Sequence, residues 1–146
     1  MKLKPALVFA PLLVVSPLAF SQQAQVLRDL ASMQPSTLSK DELQQLLPGA
    51  GIRRVSAKGN TQSWTNDAGG SFVVSSDNRA TSGRNSTAPG KWHLSDDGRY
   101  CIVIEWKTAE TEEWCRLVIK TTNGYYTAKS DKTGAEKVYK LDISGK

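Results

Sequence analysis

The sequence predicts a mainly β fold of the α+β type. It is an antiparallel meander of about seven to eight strands, curled as an open sheet or closed as a small barrel. One or two short helices precede it, and one disulfide holds it. Three observations predict this. From Ile52 onward apolar residues alternate with polar ones instead of recurring at helical spacing. Turn-forming clusters return about every ten residues. Cys101 and Cys115 lie in two apolar runs, Tyr100-Cys-Ile-Val-Ile-Glu-Trp106 and Glu113-Trp-Cys-Arg-Leu-Val-Ile119, that suit the arms of a hairpin.

Residues 1–21 read as an export signal. Lys2 and Lys4 form a short positive region, Ala6 to Val15 is almost wholly apolar, and Pro17, Ala19 and Ser21 suit a peptidase site. The apolar stretch is short for a membrane span and is soon followed by Gln22-Gln23, so no stable span is expected after cleavage. No cysteine stands near the cleavage site to carry a lipid. A periplasmic or secreted protein is expected. Removing residues 1–21 leaves 125 residues, enough for one domain with a core. The expected organisation is a signal over 1–21, a helical segment over 22–50 docking on the sheet, and a β domain over 51–146.

In the helical segment, Val26, Leu27, Leu30 and Met33 recur at helical spacing until Pro35-Ser36. Ser39-Lys-Asp-Glu42 then has the pattern of a capping box, Leu43, Leu46 and Leu47 form a stripe, and Pro48-Gly49 end the helix. So short a helix does not persist alone, so its leucines must dock on the sheet.

The strands follow in order. Ile52 to Ala57 and Gln62 to Thr65 are the first two, and Asn66-Asp-Ala-Gly-Gly70 turns the chain into Ser71–Ser76. Arg79 to Gly90, rich in Ser, Gly, Asn, Thr and Pro, reads as a long irregular loop. Lys91–Leu94 is a fourth strand, closed by the turn Ser95-Asp-Asp-Gly98. Arg99–Lys107 and Glu113–Thr121 are the cysteine-bearing pair. Asn123-Gly124 is a hairpin turn into Tyr125–Lys129, and Lys137–Ile143 closes the meander.

If Cys101 opposes Cys115, then Ile102 faces Trp114, Ile104 faces Glu112 and Trp106 faces Glu110, with the turn on Lys107-Thr-Ala109. Directly opposed residues in a non-hydrogen-bonded pair lie about 4.5 Å apart at Cα, near the short end of what a disulfide accepts. A structural disulfide in an exported domain explains these cysteines better than redox or metal chemistry. Thiol–disulfide catalysts place two cysteines close together at a helix start, and two thiolates with the single His93 do not fill a zinc site.

Loss of Lys2 and Lys4 takes the formal charge from +5 to +3. The excess concentrates between Gly51 and Lys91, where Arg53, Arg54, Lys58, Arg79, Arg84 and Lys91 face only Asp67 and Asp77. Nucleic-acid binding would want more positive charge, and export argues against it. The chemistry of catalysis is sparse. His93 has no serine in a nucleophile-elbow pattern, and Glu105, Glu110, Glu112 and Glu113 crowd one hairpin tip rather than facing across a cleft. The glycines form no phosphate loop.

Several residues together resemble a known family: Leu38-Ser-x-x-Glu-Leu43 with Leu47-x-Gly49, Trp64, Gly70-Ser-Phe72, Gly90-x-Trp92, Asp97-Gly98-x-Tyr-Cys101, Trp106, Trp114-Cys115 and Tyr125-Tyr126. The chain is similar to domain-of-unknown-function family 995, small exported proteins of Gram-negative bacteria. The resemblance implies a periplasmic or secreted β-rich domain and supplies no active site. Periplasmic lysozyme inhibitors are a weaker parallel, because Ser82-Gly83-Arg-Asn-Ser86 lacks the tyrosine of their inhibitory loop.

The expected function is an exported, non-catalytic binding module contacting a protein or an anionic envelope component. Its candidate contacts are Arg79 and Arg84 on the long loop, with Arg53 and Arg54. No cofactor, metal or nucleic acid is expected. The alternatives are an inhibitor or immunity protein against a periplasmic lytic enzyme or toxin, and an enzyme acting on envelope glycans through His93 and an acid such as Glu105.

Overall fold

Along Ser71–Ser76 every second side chain is withdrawn from solvent, and the same period of two runs through Gly51–Val55 and Thr61–Thr65. Strands with one apolar face must curl over a common interior, and here they close on it. The structure is a computed structural model that describes residue 10 and residues 23–145. The expected export signal, apart from Ala10, lies outside the described residues.

The strands are β1 (Ser36–Thr37), β2 (Gly51–Val55), β3 (Thr61–Thr65), β4 (Ser71–Ser76), β5 (Ser86–Leu94), β6 (Tyr100–Ile104), β7 (Glu112–Thr121), β8 (Gly124–Ala128) and β9 (Val138–Ser144). Each strand from β2 to β9 pairs antiparallel with the next, and β9 pairs back onto β2. The eight strands form a closed up-and-down barrel. β1 is a ninth strand, laid against β7 with Ser36 opposite Lys120.

Two strands divide their pairing. Glu112–Arg116 of β7 pairs with β6, while Leu117–Thr121 pairs with β8. Val138–Leu141 of β9 pairs with β8, while Asp142–Ser144 pairs with β2. The ladder between β2 and β9 therefore stops at Arg53, short of Arg54.

The short helix α1 (Lys40–Leu46) is capped by Ser39, whose Oγ accepts from Glu42 N–H at 3.2 Å. Leu43 and Leu47 enter one end of the barrel and join the core of Ile52, Trp64, Tyr100 and Ile102. Gly98 allows the close approach, since a Cβ there would lie 3.2 Å from Lys40 N in a left-handed conformation. Asn66, fully buried, ties the plug down: its Nδ2 donates to Leu47 O, and its backbone N–H donates to Ala50 O. The first helical segment takes the tighter 3-10 form over Leu27–Met33. With Ala24, its Leu30 covers Ile119, Tyr126, Ala128 and Val138, a second cluster on the outer wall of β7–β8–β9.

The expected register is present: Cys101 opposes Cys115, Ile102 opposes Trp114 and Ile104 opposes Glu112. The cysteines are joined, with their Cα atoms 4.0 Å apart. Beyond Ile104 the structure departs from expectation, because residues 105–111 form a wide loop rather than a tight turn after a Trp106–Glu110 pair. Glu105 N–H donates across to Pro89 O, which draws the chain toward β5 instead of β7. The loop expected over 79–90 is likewise shorter. β5 begins at Ser86 and runs through Pro89 and Gly90, leaving a 77–85 connection that contains a 3-10 turn at Arg79–Thr81.

Candidate functional site

Connections in an up-and-down barrel alternate between its two ends. The α1 plug occupies the end that carries the 66–70 and 95–99 turns. At the other end the loops 56–60, 77–85 and 105–111 border a cleft of about 650 Å³. Its walls include Lys58, Gln62, Thr81, Trp106, Glu110 and Glu112. Trp106 is half-buried there.

Side-chain hydrogen bonds tie the 77–85 wall to the 56–60 loop and to itself. Asn60 Oδ1 accepts from Ala80 N–H, and Asn60 Nδ2 donates to Thr81 Oγ1. Asn78 Nδ2 donates to Arg84 O and Ser86 Oγ. Arg79 and Arg84 stay exposed on this wall.

Beneath the cleft, charge enters the barrel. Arg54 points inward with its side chain only 8 % exposed. Its Nε and Nη2 donate to Gln62 Oε1 at 2.9 and 2.7 Å, and Nη2 also reaches Glu112 Oε1 and Oε2 at 2.7 and 2.8 Å. Trp114 Nε1 donates to Glu112 Oε1 at 3.3 Å, and Trp106 Nε1 reaches Glu112 Oε2 at 3.5 Å. One carboxylate thus collects one guanidinium and two indoles.

The inner wall carries an alternating series of rings and guanidiniums. The Arg54 guanidinium lies 5.6 Å from the Trp64 ring and 5.9 Å from Trp114. That of Arg116 lies 4.4 Å from Trp114 and 4.1 Å from Tyr139. Such contacts gain strength where water is excluded. Arg54 has a carboxylate partner; Arg116 has none among the described residues. Its Nε is buried without a hydrogen-bond partner. Burial draws the Arg116 pKa below the ordinary arginine value, Arg54 pushes it the same way, and Tyr139 and Glu112 oppose this.

The four arginines expected as contacts are not brought together. Arg79 and Arg84 flank the cleft, Arg53 lies exposed on the outer wall opposite Asp142, and Arg54 faces inward. Sequence reasoning missed Gln62, Arg116 and Tyr139, and set Glu112 aside with the other acids of one hairpin tip. A signal for them exists in strand parity. Gln62 lies two residues from Trp64, Glu112 and Arg116 lie two from Trp114, and Tyr139 lies two from Leu141. Each therefore shares the inward face of its neighbour.

His93 is exposed on the outer wall opposite Cys101. Its ring nitrogen and the two sulfurs lie within 4.8 Å of one another, but both sulfurs are spent in the disulfide and offer no thiolate to a metal.

Fold and site define a small antiparallel β-barrel, plugged at one end by a helix and polar inside at the other. The chain belongs to a family described as proteins of unknown function, DUF995, whose model matches residues 15–117. The matched span takes in α1, β2 to β6 and the β7 residues through Leu117. No curated protein and no solved structure matches the chain.

Proposed function

We propose that this chain is an exported, non-catalytic binding module that holds a saccharide of the cell envelope in the cleft at the open end of its barrel. The observation that carries this reading is the cleft itself: about 650 Å³ between three loops, with the half-buried Trp106 beside amide, hydroxyl and charged groups. A tryptophan face packs against the apolar face of a sugar ring, and flanking polar groups match its hydroxyls. Gln62 suits this role, because Arg54 fixes its Oε1 and leaves its Nε2 free to donate. Arg79 and Arg84 at the rim add attraction for an anionic saccharide. The exposed His93 and Glu105 share no hydrogen bond, which favours binding over the glycan-hydrolysing alternative.

Calorimetric titration of the mature protein with soluble cell-wall fragments tests the proposal. Binding should occur, should weaken at least tenfold in Trp106→Ala, and should weaken with added salt in an Arg79→Glu/Arg84→Glu variant less than in the wild type. Unchanged affinity in Trp106→Ala, with the fold intact by circular dichroism, would overturn the assignment of the cleft.

A further inference from the structure

A second feature of the barrel interior is independent of the cleft. Arg116 is held by two aromatic rings, Trp114 at 4.4 Å and Tyr139 at 4.1 Å from its guanidinium carbon. Among the described residues it forms no ion pair, and its Nε is buried with nothing to donate to. A buried N–H ordinarily finds an acceptor, since leaving a desolvated donor unpaired is costly. The nearby acid does not serve it: Glu112 is turned to Arg54, with both oxygens within 2.8 Å of Arg54 Nη2. This part of the barrel thus holds two guanidiniums and one carboxylate, which Arg54 takes. The local balance is one positive charge in excess.

Rings against a guanidinium leave its edge for hydrogen bonding, and that edge fits a planar or tetrahedral oxyanion. Access exists at the wall. Tyr139 is 37 % exposed, and Arg116 itself is only partly buried. β8 pairs with β7 only from Leu117 onward, so no β8 residue is paired opposite Arg116.

We propose that Arg116, framed by Trp114 and Tyr139, is an oxyanion-binding subsite that takes the carboxylate or phosphate group of a small ligand. The anion completes the pairing that Glu112 gives Arg54. It is bound through the guanidinium edge, and the aromatic rings hold that edge in place. Carboxylates and phosphates offer the same acceptor chemistry, so the source is decided by experiment.

The test is a nuclear magnetic resonance titration of the ¹⁵N-labelled mature protein. It follows the Arg116 Nε–H signal and the indole N–H of Trp114 while acetate, inorganic phosphate or chloride is added at constant ionic strength. The expected result is a saturable shift of both signals with acetate or with phosphate, and none with chloride. The effective anion identifies the source. Arg116→Lys keeps the charge but not the planar edge, and should weaken binding by about tenfold to a hundredfold. Arg116→Gln should abolish the saturable shift at Trp114 while the spectrum elsewhere stays that of the folded wild type. Signals that move equally in chloride, or that stay still with both oxyanions, would overturn the proposal. Because the wild-type titration needs no variant to fold, it decides the matter alone.

Discussion

Tyr100 Oη donates to Asn66 Oδ1 at 2.9 Å in the fully buried layer where α1 enters the barrel. Trp64 Nε1 donates to the same oxygen at 3.0 Å. One amide thereby joins β3, β6 and the plug. The site pushes the Tyr100 phenol up to about 12, chiefly through burial, against the hydrogen bond donated by Trp64 and the charge of Arg54. The unfolded chain titrates near pH 10. Folding therefore favours the neutral phenol: its contribution is complete below pH 10 and is lost as pH rises from 10 through 12. Two pKa units correspond to about 3 kcal/mol. In urea unfolding at neutral pH, Tyr100→Phe should cost about 1 kcal/mol for the lost hydrogen bond. Between pH 10 and 12 the variant should lose less stability than the wild type. Parallel curves for the two proteins would contradict this account.

The Cys101–Cys115 disulfide joins directly opposed residues across β6 and β7, a sequence separation of 14. Closing a loop of this length stabilises by about 3 kcal/mol in the chain-entropy model. Cys101→Ala/Cys115→Ala should lower the unfolding free energy by about that amount and leave the barrel assembled at room temperature. Because Cys115 lies on the outer wall, the environment of Arg54 and Arg116 should not change. Denaturation of the variant beside the wild type, the latter with and without reductant, gives the number, and tryptophan fluorescence tests the interior.

Gly90 sits in β5 because Phe72 occupies the space a side chain would need. A Cβ there would fall 2.2 Å from Phe72 Cε2, and Phe72 is fixed by stacking on Trp64 at 5.1 Å. Gly90→Ala should cost about 1–3 kcal/mol through overpacking. Phe72→Leu, itself destabilising, should relieve the clash, so the double variant should be more stable than the sum of the two losses implies. Strict additivity in thermal melts would mean that Phe72 is not the obstacle.

The same position explains where the sequence was hard to read. Period-two alternation revealed β4, and the cysteines revealed the register of β6 and β7, because both signals are local. β5 was obscured by Thr87-Ala-Pro-Gly90, whose composition suggests a loop. Yet Gly90 is demanded by a ring from another strand. The N–H that Pro89 lacks would point toward β6, whose ladder ends at the Gly90–Ile104 pair, so little is lost there. The site was hidden for a different reason. Composition places Arg54, Gln62, Glu112 and Arg116 on the surface. Strand parity puts them on the face of Ile52, Trp64 and Trp114, and barrel closure, through the pairing of β9 with β2, turns that face inward. The difference between Arg53 and Arg54 is one residue of parity. Ile52 and Trp64 determine it.

Glu112 is the residue whose removal should connect stability to ligand. Its side chain is 33 % exposed and accepts from Arg54, Trp114 and, at the limit, Trp106. Glu112→Gln keeps the shape but removes the carboxylate of Arg54, leaving it, like Arg116, without one. In low-salt buffer the variant should lose about 1–3 kcal/mol, the range for a charged hydrogen bond. Phosphate or acetate should then stabilise it more than the wild type, since an anion bound only to the folded state raises stability by mass action. Thermal melts across an anion series, with chloride as the reference at equal ionic strength, provide the measurement. A loss of stability that no oxyanion restores would show that Glu112 acts through Gln62 and the indoles rather than through charge.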